Sequence, residues 1–115
     1  MKRLLAALFA CAAPLAALPA DDWKPFSVTL EPRQAHEECL RLDKGDARRW
    51  HWKSDAPVDF NVHYHEGSEV SFPVKRDGMR GDGGTFKPKL AQDYCWMWTN
   101  PSGKPSALSL ELQRI

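Results

Sequence analysis

Residues 94 to 100 read YCWMWTN, and every second side chain is an aromatic ring. Successive side chains of an extended strand point to opposite faces. Tyr94, Trp96 and Trp98 therefore line one face, and Cys95, Met97 and Thr99 the other. The same two-residue alternation recurs along the chain, broken by Gly, Pro and Asp. No run holds apolar residues at a 3.6-residue spacing over twelve or more positions. This pattern predicts an all-β protein.

Candidate strands are 26–30, 38–42, 48–53, 58–65, 69–75, a short one at Phe86, 94–99 and 107–112. Asp43-Lys44-Gly45-Asp46 reads as a turn, Ser54-Asp55-Ala56-Pro57 as a connection, DGMRGDGG (77–84) as a glycine-rich loop, and Asn100 to Pro105 as a turn. Pro73 suits an edge or a bulge. About seven or eight short strands at this spacing predict a single antiparallel β-sandwich or small barrel, the sandwich being preferred.

The first twenty residues carry Lys2, Arg3 and an apolar run from Leu4 to Leu18, too short and too rich in Ala and Pro to span a bilayer. They read as a signal peptide cleaved after Ala20, leaving a domain of residues 21–115 in the periplasm or outside the cell. Leu8-Phe9-Ala10-Cys11 resembles a lipobox, which would make a membrane-anchored lipoprotein at Cys11. Phe9 is bulky for that motif, and plain cleavage is preferred.

The mature chain holds fourteen basic and fifteen acidic residues, a net charge of −1, with no basic block longer than Arg48-Arg49. That excludes an electrostatic footprint for nucleic acid. Cys39 and Cys95 remain, an even number in a small exported chain, and read as one disulfide. Leu40 and Leu42 are expected to face the core, so Cys39 faces outward, as Cys95 does. The two segments should then be neighbours in one sheet.

Parity assigns Val58, Phe60, Val62 and Tyr64 to the core face and Asp59, Asn61, His63 and His65 to the solvent face. Four tryptophans, with Phe60, Tyr64, Tyr94 and Leu108, Leu110 and Leu112, make an aromatic-heavy core; the functional alternative is an aromatic groove for sugars or lipids. Buried indole nitrogens need partners, so one or two rings are expected near the rim, and Trp23 is the ring least suited to the core.

His63 and His65 share a face with Cβ atoms roughly 7 Å apart, a spacing that suits one shared zinc or copper ion. His51 is expected beside them across the Ser54–Pro57 connection. Met97 offers a soft donor for copper. His36 belongs with none of these.

The order of a W-x-W strand, APVDFNV (56–62), a glycine-rich loop, GTFKPKLAQDYCWMWTN (84–100) and a leucine strand resembles GOLD-like β-sandwich domains from Leu42 to Leu112. The resemblance implies an interaction module, and it supplies no catalytic residues. No G-x-S-x-G elbow or framed carboxylate pair is present, and the glycine-rich segment lacks a P-loop ending. The reading is an exported, non-enzymatic module that binds an envelope protein or small ligand. The alternatives are a periplasmic copper or zinc protein using His63 and His65 with His51 or Met97, and a small envelope hydrolase.

Overall fold

A computed structural model describes residues 25–115. The expected signal peptide, Cys11 and Trp23 lie outside the described residues. Six strands follow in order: β1 (Phe26–Leu30), β2 (Ala35–Leu42), β3 (Arg48–Glu66), β4 (Glu69–Phe86), β5 (Gln92–Thr99) and β6 (Ser106–Arg114). All pairings are antiparallel. The sheet runs β1-β6-β3-β5-β2, with β4 on the other edge of β3.

The described strands number six, not seven or eight, because two expected breaks are absent. Strand β3 continues through Ser54–Pro57 and changes neighbour there. It pairs with β6 from Arg48 to Ser54 and with β5 from Asp59 to His63. A straight strand would hold Trp50 and Phe60 roughly 33 Å apart. Their ring centroids are 5.8 Å apart, and those of Trp52 and Phe60 5.5 Å. The strand therefore folds over, and the sheet curls so that its two halves face each other.

Asp55 braces the bend, its Oδ1 accepting from the Ala107 N–H and the Ser106 hydroxyl, both at 2.9 Å. The register of β3 against β4 shifts between Lys53 and Val58. The polar and proline residues that signal a connection thus mark a bend inside one strand.

The expected glycine-rich loop is strand. Gly81, Gly83 and Gly84 pair with Lys53, His51 and Trp50. A Cβ on Gly84 would sit 2.7 Å from the Trp50 ring, so the missing side chain leaves room for the indole. Gly78, at φ 69°, takes a left-handed conformation within β4, and its N–H donates to Asp59 Oδ1 at 3.0 Å.

Between the halves lie Leu30, Leu42, Trp50, Trp52, Val58, Phe60, Val62, Phe86, Tyr94, Trp96, Trp98, Leu108, Leu110 and Leu112, as parity requires. All four tryptophans are buried, and their indole N–H groups meet no acceptor among the described residues. The expectation of rim-seated rings fails for these four. No face of them is left for stacking a sugar.

Candidate functional site

On the outer face of the half built from β2, β5, β3 and β4, cross-strand register sets side chains in rows. Glu37, Met97, Asn61 and Lys75 form one row, and Cys39, Cys95 and His63 the next. Cys39 and Cys95 are joined in a disulfide, directly opposite each other, which bears out both the pairing and the expected adjacency.

His63 has the parity expected of it and an environment that parity did not foresee. It is 4% exposed and Asn61 is 9% exposed, on a face read as wet. A register shift between Val62 and Tyr64 accompanies the placement of Phe72 over the imidazole, the rings 5.9 Å apart. The His65 ring stands edge-on at 5.2 Å. Glu37 reaches across β5 from β2, its Oε1 3.5 Å from His63 Nε2.

The hydrogen bond to Asn61 sets the tautomer of His63. Nδ1 lies 2.7 Å from Asn61 Oδ1, and an amide oxygen can only accept, so Nδ1 carries the proton. Nε2 is then aimed at Glu37. Burial pushes the imidazole below the usual histidine value of 6.5. The Glu37 carboxylate pulls it up, and His65 pushes it further down.

The expected three-histidine patch does not form. His51 lies twelve residues before His63 on β3, beyond the bend, between Glu111 of β6 and Gly83 of β4. The reason is that Ser54–Pro57 bends the strand instead of reversing it, so no antiparallel pairing sets His51 beside Asn61 or His63. Met97 is near, in register with both Glu37 and Asn61. His36 stacks on Phe26, centroids 4.7 Å apart, and stays separate from the others.

Sequence reasoning missed Glu37 and Phe72. Glu37 was within reach of it: the Cys39–Cys95 pairing and the shared parity of Glu37 and Cys39 set both beside the β5 row. Phe72 was not, because its approach depends on an irregular register. Val70 and Phe72 are 42% and 46% exposed, an apolar pair beside the histidines.

Neither a family model nor a characterised protein sequence matches the chain. Solved structures do share its fold. The Yersinia pseudotuberculosis-derived mitogen is 12% identical with a TM-score of 0.62, over 83% of this chain and 87% of that one. The pre-peptidase C-terminal domain of a collagenase from Bacillus anthracis is 6% identical with a TM-score of 0.62, over 78% and 88%. PliG of Aeromonas hydrophila, a periplasmic inhibitor of g-type lysozyme, is 12% identical with a TM-score of 0.54, over 83% and 90%. At these identities the likeness is one of fold: an all-β, antiparallel, curled sheet.

Proposed function

We propose that this chain is an exported, non-enzymatic binding module of the bacterial envelope, whose contact surface for a protein partner is the outer face around His63, His65, Val70 and Phe72. The observation that carries the reading is the exposed Val70 and Phe72 pair set against a buried, fully oriented imidazole. Apolar side chains held out beside fixed polar groups suit the anchor and rim of a protein interface. The two facing halves of the sheet are read as a β-sandwich, and the GOLD-like assignment rests on the sequence pattern.

Export rests on the signal-like leader, and the disulfide suits an oxidising compartment. PliG gives a precedent, a periplasmic inhibitor of another protein on a sheet of this kind. The test immobilises the oxidised mature chain and the Val70→Ser/Phe72→Ser double variant and exposes both to an envelope extract. A component retained by the parent and lost by the equally stable variant supports the reading. Equal retention, or none by either, overturns it.

A further inference from the structure

The polar floor of this face holds a pair of acceptors aimed at each other. His63 Nδ1–H is committed to Asn61, so neutral His63 turns the Nε2 lone pair toward the Glu37 carboxylate, 3.5 Å away. Two acceptors at that distance repel. A positive centre between them, a proton on Nε2 or a metal ion, turns that repulsion into attraction. Two donors on one tetrahedral zinc ion, with bonds of about 2.0–2.1 Å, stand about 3.3 Å apart, so the observed spacing already matches. The Asn61 bond orients the ring as an outer-shell partner orients a metal-bound histidine.

We infer that this chain holds one divalent transition-metal ion, zinc or copper(II), between His63 Nε2 and Glu37 on the outer face, with His65 as third ligand. His65 is exposed and its ring stands 5.2 Å from that of His63; to bind the ion, its side chain must turn toward it. The Glu37 side of the pair is open to solvent, its side chain 44% exposed. Imidazole and carboxylate donors suit these two ions better than calcium or magnesium, which require more oxygen.

The ligand set differs from one drawn on histidines alone. Glu37 replaces His51, which lies beyond the bend. Among the described residues, Glu37, Cys39 and Cys95 form the one trio of metal-type donors within 4.8 Å of one another, and its sulfurs are joined in the disulfide. Met97 lies one row away, opposite Glu37, and is outside the set. The site does not depend on a protein partner.

The test uses the oxidised, chelator-stripped mature chain. Competition titrations with zinc and copper(II) should give one ion per chain, and neither calcium nor magnesium should compete. Glu37→Gln and His65→Ala should each weaken binding by about tenfold or more, and Asn61→Ala by about tenfold, while His51→Ala leaves it unchanged. Nitrogen-15 spectra should show His63 Nε2 moving on loading, with Nδ1 still protonated. His63→Ala opens a buried site and can fail to fold, so the two exposed ligands carry the test. No uptake of either ion at 1:1 with micromolar protein, or uptake indifferent to Glu37→Gln and His65→Ala, overturns the inference. Capture of a protein partner lost in the Val70/Phe72 variant would stand in either case.

Discussion

Gly84 of β4 lies directly opposite Trp50 of β3, and an added Cβ would come within 2.7 Å of the indole ring. The indole occupies the space a side chain would need, which couples a residue without a side chain to the largest one in the core. Gly84→Ala should therefore cost about 1–3 kcal/mol through overpacking. Gly103, which meets nothing within 4 Å and has no positive φ, is the control, and Gly103→Ala should leave the urea midpoint unchanged. Equal midpoints for both variants would contradict the packing assigned to Trp50.

The Cys39–Cys95 disulfide closes a loop with a sequence separation of 56. The loop-entropy relation gives about 4 kcal/mol for a closure of that length. A Cys39→Ala/Cys95→Ala variant should lose stability of that order in urea unfolding. It should also loosen β2 from β5, and with β2 the hold on Glu37. A loss below about 1 kcal/mol would mean that the unfolded chain is already restrained.

His63 yields a pH dependence in the metal-free protein. Burial holds its folded pKa below 6.5, the value in the unfolded chain. Above 6.5 both states are neutral at this site and its contribution to stability is constant. As pH falls through 6.5 the unfolded chain takes up a proton that the folded chain resists, so stability declines and levels off below the folded pKa. Proton NMR of the imidazole C–H resonances checks this directly. A His63 midpoint at or above 6.5 would be inconsistent with the burial described.

Asn100 is fully buried at the end of β5 and holds three segments together. Its Nδ2 donates to Leu30 O at 3.1 Å and Lys104 O at 2.7 Å, and its Oδ1 accepts from the Ser102 N–H at 3.0 Å. Asn100→Ala strands buried carbonyls at once, and should cost about 2–4 kcal/mol at the usual penalty for unsatisfied groups. Asn100→Asp, which keeps the acceptor and loses the donors, separates the two contributions. Thermal unfolding that leaves both variants near the parent would refute this role.

Legibility in the sequence followed regularity. Where alternation is unbroken, as in Tyr94–Thr99 and Val58–Val62, parity foretold the core, and it also brought Cys39 beside Cys95. It failed where one residue type serves two purposes. The glycines from Gly78 to Gly84 usually signal a loop, yet Gly84 here is an allowance for Trp50, a purpose visible only once the partner strand is known. Ser54–Pro57 signals a break and instead bends a strand. The site shared this fate. His63 and His65 were evident from spacing, and Glu37 could be placed through the Cys39–Cys95 pairing, while Phe72 covers His63 from a strand whose register shifts beside it, which no local pattern encodes.

Because β3 borders β6 before its bend and β5 after it, the chain has no point at which one half could be cut free of the other. Each described strand is anchored to β3 directly or through one neighbour, and β1 pairs with β6, the last of the described strands. The sheet is therefore incomplete until β6 has docked. Until then β3 and β4 would present a long ribbon whose aromatic face has nothing to close upon, a period in which a holding chaperone has something to hold.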